Sequence, residues 1–329
     1  MREIFRNSYF INIIIFRIGY LIYMITGKTL YLSYRSMINL YCITNGEFLN
    51  KLNLSQKFTN RVLGESSFFK NFNQAKIKSI SNDIRNEGYA IFDQKLNINS
   101  INKLKELSLK MKAKVGKNYI NFDPKNKISN IYKFSSNDII NDELVQDLIM
   151  DPLLINIAGE YLGANPIFDF PAMWWSTDSK KINEDAAQDF HFDLDRPKWL
   201  KIFIYLTDVD ENNGPHCYIS QSHKVGNKPQ NILERGYVRV SDKELIKCYP
   251  KNKFKEITGP AGTIVFGDTS CWHKGKPISK GERLIFQLEY TSSLFGYNMP
   301  KLVLNDYSQR FKSFCNQNKY YSQNIQLDI

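Results

Sequence analysis

The sequence predicts an α+β fold, with helices in the first half of the chain and a sandwich or barrel of strands in the second. Before residue 163, apolar residues recur at helical spacing, as Ile77, Ile80 and Ile84 do. Beyond residue 167, short runs rich in β-branched and aromatic residues replace that spacing, and turn-rich stretches separate them. A chain of 329 residues, 43% of them hydrophobic, can bury the core that such a fold needs.

The first 64 residues are predicted to form an N-terminal apolar helical segment. Residues 9 to 26, YFINIIIFRIGYLIYMIT, are nearly long enough to span a bilayer, but Asn12 and Arg17 interrupt the run. Because an arginine at the centre of a bilayer is costly, a spanning helix is the weakest interpretation. No small-residue cleavage site of the signal-peptide type follows the run.

The charge of this segment leaves two interpretations open. No acidic residue occurs between Glu3 and Glu47, and the basic residues recur at spacings that would place them on one face of a continuous helix: Arg6, Arg17, Lys28 and Arg35. A basic amphipathic helix of this kind indicates peripheral membrane contact through residues 1 to 40. The alternative is a helical hairpin, broken at Gly27, that packs on the core.

Four helices are predicted between residues 65 and 163. The first stops at Gly88, after which YAIF (89 to 92) is a short strand. Polar residues that favour helix N-caps begin the other three: Ser100, Asn141 and Asp151. Pro152 suits the first turn of the last helix, which ends near Gly163.

Five strands are predicted in the second half of the chain. They are IFDFPAMWWS (167 to 176), WLKIFIYLT (199 to 207), CYIS (217 to 220), GTIVFGD (262 to 268) and RLIFQLEYT (283 to 291). Many short strands after a helical half are typical of a barrel or sandwich core.

Composition excludes several classes of protein. The five cysteines are scattered and include no CxxC pair, so they predict neither a disulfide framework nor a structural zinc site, and a reducing cytoplasm is the expected compartment: Cys42, Cys217, Cys248, Cys271 and Cys315. The net charge is +11, yet no dense cluster of lysine and arginine occurs. No nucleic-acid partner is therefore expected.

A histidine and an aspartate mark the candidate site. In QDFHFDLDRPKW (188 to 199), His191 and Asp193 stand two residues apart, so on a strand their side chains point the same way. With a second, distant histidine they would form the 2-His-1-carboxylate set of non-haem Fe(II) oxygenases. His273 is the best candidate for that ligand, whereas His216 and His223 fit less well.

An arginine follows the candidate distal histidine. Arg283 begins the strand RLIFQLEYT. If the face that it shares with Ile285 and Gln287 lines the barrel interior, its guanidinium would be an unpaired buried charge unless an anion met it. Because the planar guanidinium suits a carboxylate, this position predicts binding of a 2-oxo acid co-substrate.

These residues together resemble the phytanoyl-CoA dioxygenase family of Fe(II)/2-oxoglutarate oxygenases. The resemblance rests on FHFDLDRPKWLKIFIYLTDVDENNGPHCYISQSHK, WHKGKP, Arg283 and the opening strand NEGYAIFD, and it covers residues 80 to 292. It implies a double-stranded β-helix, a jelly roll of the cupin type, with flanking helices. It also implies that His191, Asp193 and His273 are the catalytic iron ligands and that Arg283 binds 2-oxoglutarate.

The resemblance sets the expected function and domains. It implies a dioxygenase that uses O2 to hydroxylate an unactivated C–H bond of a small-molecule or acyl substrate, with release of succinate and CO2. The alternative is a non-catalytic cupin-like module that binds a metal or ligand. The oxygenase domain is expected at 65–300, between the N-terminal segment 1–64 and a C-terminal tail 301–329. The expected location is cytoplasmic, with membrane association left open.

Overall fold

The N-terminal segment is a helical hairpin. The computed structural model describes residues 6–52, 57–59, 62, 64–70, 72–179 and 188–328, and within them the hairpin helices are α1 (Tyr9–Thr26) and α2 (Tyr31–Ile43), followed by the short α3 (Glu47–Lys51). Ser8 caps α1, and Gly27 ends it in the left-handed region, at a φ of 68°. The predicted break at Gly27 is therefore present, and the continuous helix that would align the four basic residues is wrong.

Five helices lie between this hairpin and the long strands. They are α4 (Gln74–Glu87), α5 (Ile98–Lys110), α6 (Ser136–Ile140), α7 (Glu143–Ile149) and α8 (Pro152–Leu162). Asp151 caps α8 and Pro152 opens it, as predicted. Two predicted caps are wrong by a few residues. Asn97 caps α5 by accepting a hydrogen bond from the Ser100 backbone N–H, and Asp142 rather than Asn141 caps α7.

Two antiparallel sheets form the centre of the molecule. The larger has the strand order β1-β9-β6-β11-β5-β4-β2-β3 and consists of β1 (Tyr89–Ile91), β2 (Lys112–Val115), β3 (Asn118–Asn121), β4 (Ile131–Lys133), β5 (Ile167–Thr177), β6 (Trp199–Tyr205), β9 (Ile264–Gly267) and β11 (Glu282–Thr291). The smaller has the order β10-β7-β8 and consists of β7 (His216–Ile219), β8 (Phe254–Ile257) and β10 (His273–Gly275). Two short helices, α9 (Gln230–Leu233) and α10 (Asp242–Leu245), precede β8. The architecture is the double-stranded β-helix that the family resemblance implies.

Strand β6 shows why this core needs a nearly continuous apolar run. Leu200, Ile202 and Ile204 belong to the cluster that packs the large sheet against the helices. Phe203 and Tyr205, which alternate with them, belong to the cluster between the two sheets. Both faces of β6 are buried, so the period-two pattern of a half-exposed strand is absent.

Several short elements have no clear signal in the sequence. β2 and β3 are mostly exposed, and β4 has three residues, so apolar periodicity does not reveal them. After the large sheet, β12 (Leu302–Leu304) pairs in parallel with β13 (Ile325–Leu327), and α11 (Gln309–Gln317) connects them. Leu304 and Phe311 are buried in the same cluster as the large sheet. The domain boundaries at residues 64 and 300 stay predictions.

Candidate metal centre

The backbone brings two distant histidines face to face. His191 and His273 form an antiparallel bridge in which each residue donates its N–H to the other's carbonyl, at N to O distances of 3.0 and 2.8 Å. Residues that exchange both hydrogen bonds point their side chains to the same side. The two imidazole centroids consequently lie 4.4 Å apart.

The Asp193 carboxylate completes the cluster. Its backbone N–H donates to the Thr269 carbonyl over 2.7 Å, which holds the segment beside the turn before β10. Asp193 Oδ1 lies 3.9 Å from His191 Nε2, and Asp193 Oδ2 lies 3.5 Å from His273 Nε2. The three ligand atoms all lie within 4.8 Å of one another, as ligands of a single metal ion must.

Hydrogen bonds orient both imidazoles for ligation. Nδ1 of His191 lies 3.0 Å from the Asp189 carbonyl oxygen, and Nδ1 of His273 lies 3.0 Å from that of Cys271. Because a carbonyl only accepts, each Nδ1 carries the proton and leaves the Nε2 lone pair facing the cluster. Burial, with His191 nearby, lowers the pKa of His273 to about 3, so the ring is neutral at pH 7. A neutral imidazole is the form that binds a metal.

A lysine that the sequence analysis missed lies behind Asp193. Lys201 Nζ is 2.9 Å from Asp193 Oδ2 and 3.3 Å from Glu289 Oε1, and Glu289 stands directly opposite Lys201 in the β6–β11 register. Burial alone would raise the pKa of Asp193, but Lys201 and then the two histidines outweigh it and hold that pKa below its usual range. Burial raises the pKa of Glu289 to about 8, so Lys201 pairs chiefly with Asp193.

Arg283 is a buried cation with most of its hydrogen-bonding capacity unused. Its side chain is 3% exposed, and its only hydrogen bond among the described residues runs from Nη2 to Ser176 Oγ, a long 3.5 Å contact. Nε and Nη1 have no hydrogen-bond partner in the described part of the chain. Burial lowers the pKa of the guanidinium, although Tyr205 and Cys217 partly oppose this effect. A buried cation with this little compensation is costly to the folded protein unless an anion meets it.

One cavity of about 420 Å³ joins the cluster to this arginine. Its lining contains the three candidate ligands, Lys201 and Arg283, together with an apolar wall: Ile131, Phe134, Phe170, Met173, Trp174 and Ile278. The volume falls within the usual range for small-molecule sites. Lys133 and Lys276 also line the cavity, and Lys276 Nζ forms an ion pair with Glu256 Oε2 at 2.8 Å.

The two other histidines lie outside the cluster. His216 lines the cavity with its ring 4.1 Å from that of Phe203, and burial, with Arg283 nearby, depresses its pKa. His223 lies elsewhere, with Nδ1 3.3 Å from Cys271 Sγ and Nε2 3.0 Å from the Arg85 carbonyl oxygen. Of the four histidines, the cluster therefore contains His191 and His273.

Solved structures with a similar fold include three non-haem iron or 2-oxoglutarate proteins. HygX from Streptomyces hygroscopicus, with nickel and 2-oxoglutarate bound, is 12% identical over 74% of this chain and 94% of its own, with a TM-score of 0.49. EctD from S. alaskensis, with bound Fe, is 14% identical over 73% and 88%, with a TM-score of 0.48. The 2-oxoglutarate-dependent carbocyclase SnoK from nogalamycin biosynthesis is 16% identical over 69% and 87%, with a TM-score of 0.48.

These similarities say nothing about the reaction, because the identities are low and the TM-scores fall below 0.5. A search of curated proteins gave no match. The family comparison is more informative. The phytanoyl-CoA dioxygenase model matches residues 88–285, which is more than half of the chain. The matched region contains His191, Asp193, His273 and Arg283. The chain belongs to the phytanoyl-CoA dioxygenase family.

Proposed function

We propose that the protein is an Fe(II)- and 2-oxoglutarate-dependent dioxygenase that hydroxylates an unactivated C–H bond of a small-molecule or acyl substrate. One observation carries the proposal: a His-Asp-His cluster and an unpaired buried guanidinium line the same cavity. A metal cluster alone would fit many proteins. A cation that lacks an anion beside it fits a metal enzyme whose co-substrate is a dicarboxylate.

The residues present fit both groups. His191, Asp193 and His273 offer two imidazole nitrogens and one carboxylate oxygen, which is the donor set that suits ferrous iron in oxygenases. Arg283 offers the unpaired donors on Nε and Nη1 of its guanidinium to the far carboxylate of 2-oxoglutarate. When bound, these groups supply oxidative decarboxylation of 2-oxoglutarate by O2, which gives succinate, CO2 and an oxidant for the substrate.

The chain itself contributes electrostatics and positioning. Lys201 keeps Asp193 ionised, so the carboxylate is ready to bind a cation without first losing a proton. Phe170, Met173 and Trp174 give the cavity an apolar wall that can hold a C–H bond close to the cluster and exclude water.

The test is succinate formation from 2-oxoglutarate with Fe(II) and O2. Asp193→Ala removes the carboxylate ligand, and we expect turnover to fall by about a thousandfold or more because three ligands act as a unit. Arg283→Ala is expected to retain Fe(II) binding and to weaken 2-oxoglutarate binding by about a hundredfold, in line with loss of a charged, bidentate contact. Slow uncoupled turnover makes the assay usable before the substrate is known.

Asp195→Ala is the matched control. Asp195 is a carboxylate two residues from Asp193, but it accepts a hydrogen bond from Tyr34 Oη over 3.0 Å and does not line the cavity. We expect it to keep the wild-type rate. Absence of succinate together with anaerobic binding of Fe(II) and 2-oxoglutarate would support the binding-module alternative. Absence of both binding and turnover would rule out the iron site.

A further inference from the structure

Helix α1 is fixed to the protein by one face. Phe16 packs edge-on against Phe48 and Phe295, at centroid distances of 4.9 and 5.4 Å. Asn12 accepts a buried hydrogen bond from Asn39 over 3.0 Å. These contacts hold α1 along its length against α2 and the core. By length and composition α1 could span a membrane, but spanning would break them.

The opposite face of α1 is apolar and uncovered in the described part of the chain. Its side chains recur at spacings of 4, 4, 3 and 4 and are 72%, 41%, 57%, 59% and 76% exposed: Phe10, Ile14, Ile18, Leu21 and Ile25. Tyr31 and Leu32, at the start of α2, extend the exposed apolar surface. We call these seven residues the outer face. An uncovered apolar surface of this size marks an interaction site.

The charge around the outer face identifies its partner. Residues 4 to 46 contain no acidic side chain, whereas Arg17 and Lys28 are exposed and Arg35 is half-buried. Two copies of this face would bring like charges together, which opposes self-association. An anionic lipid surface offers the complementary charge, and a long arginine side chain can reach lipid phosphates while the apolar face is inserted.

We infer that the outer face of α1 lies in the interface of an anionic membrane, with the helix axis parallel to the bilayer. From Phe10 to Ile25 the face is about 22 Å long, at a rise of about 1.5 Å per residue. The inner face keeps its contacts with the protein, so the chain is held on the membrane surface and does not cross it. This inference does not depend on the proposed dioxygenase activity.

Vesicle sedimentation of the full chain tests the inference. We expect the protein to pellet with vesicles of phosphatidylcholine and phosphatidylglycerol, to pellet much less with phosphatidylcholine alone, and to be released by salt. The double variant Ile18→Asn with Leu21→Asn should weaken binding by about tenfold or more, because two inserted side chains lose their apolar burial. Arg17→Gln should weaken it by about fivefold, the effect of one basic residue near the surface.

The matched control places the same changes elsewhere. Ile98 and Ile246 are 62% and 63% exposed and lie outside the hairpin, so Ile98→Asn with Ile246→Asn should bind vesicles as the wild type does. Thermal unfolding checks that each variant is folded. Equal vesicle binding by the Ile18 and Leu21 variant and the wild type would overturn the inference. A dimer of the wild type in the absence of lipid, measured by sedimentation equilibrium and lost in this variant, would also overturn the inference. The outer face would then bind a second copy of the chain.

Discussion

Two arginines in this molecule are equally buried and have opposite surroundings. Arg196 and Arg283 are each 3% exposed. Arg196 forms a two-pronged ion pair with Asp169, with Nε and Nη2 at 2.7 and 2.8 Å from the carboxylate oxygens. Its Nη1 donates to the carbonyls of Leu294 and Tyr297, both at 2.8 Å. Arg283 has no carboxylate partner in the described residues, and its Nε and Nη1 have no hydrogen bond.

The difference separates a structural charge, Arg196, from the charge that we propose binds 2-oxoglutarate, Arg283. Burial disfavours the cation at both sites, but the Asp169 hydrogen bond and charge raise the pKa of Arg196, whereas burial lowers that of Arg283. A buried charge without compensation costs several kcal/mol. For Arg283, the proposed 2-oxoglutarate carboxylate would offset that cost. Counting partners therefore distinguishes the two roles where burial does not.

The largest expected effect is on the paired arginine. Arg196→Met leaves the fully buried Asp169 without its cation and removes donors from two carbonyls. We expect the free energy of unfolding to fall by about 3–5 kcal/mol, the usual cost of breaking a buried ion pair. Urea unfolding measures it. A loss under about 1 kcal/mol would mean that the Arg196 pair is not a structural requirement, and the comparison would fail.

The next effect is ligand stabilisation. At a 2-oxoglutarate concentration of 100 times Kd, the wild type should gain about 2.7 kcal/mol in unfolding free energy. Arg283→Met should gain far less at that concentration, because the far carboxylate loses its cation. The measurement is thermal unfolding with added Mn2+, a redox-stable substitute for Fe(II), with and without 2-oxoglutarate. Equal stabilisation of both proteins would place the dicarboxylate elsewhere.

A smaller effect of opposite sign is expected for Arg283→Met without ligand. The substitution removes a buried, poorly paired charge and leaves an apolar side chain of similar length. We expect the ligand-free protein to gain about 1–2 kcal/mol, the low end of what replacing buried charges by apolar groups gives. Urea unfolding of metal-free protein reports it. Destabilisation as large as that of Arg196→Met would mean that Arg283 is structural too.

The smallest effect concerns a third buried cation, Lys228. Its Nζ donates to the Ser222 carbonyl and lies 5.1 Å from the ring centroid of Phe192. Burial lowers its pKa to about 8 from 10.5. Between pH 8 and 9 the unfolded chain keeps this proton while the folded chain releases it, so stability rises with pH. Relative to Lys228→Met, the wild type should gain about 1 kcal/mol over that interval.

Urea unfolding of wild type and Lys228→Met at several pH values measures this difference, and other titrating groups cancel in the comparison. A flat difference between pH 8 and 9 would mean that the carbonyl and the neighbouring rings compensate the charge fully. The charge of Lys228 would then be as well compensated as that of Arg196.

Much of the fold was predictable because local patterns determine it, and the two-residue spacing of His191 and Asp193 was the local signal for the candidate site. The cap at Asp151 and the stop at Gly88 depend on neighbouring residues only. The pairing of Lys201 with Glu289 was not predictable, because it depends on the register between two strands far apart in sequence. Its one visible signal is a lysine within the apolar run WLKIFIYLT, at the position that faces inward. Short exposed strands such as β3 carry no such signal.

The segment from residue 190 to 194 divides its side chains between two parts of the molecule. His191 and Asp193 face the cavity, while Phe190, Phe192 and Leu194 belong to the cluster that includes the hairpin residues Phe16 and Tyr41. The hairpin thus packs against the side of this segment that faces away from the candidate iron ligands. The Tyr41 and Phe192 rings, whose centroids lie 5.5 Å apart, join the hairpin directly to the segment that carries His191 and Asp193. We expect a chain shortened to start at residue 65 to expose Phe190, Phe192 and Leu194 to water, because the hairpin residues of this cluster would be absent.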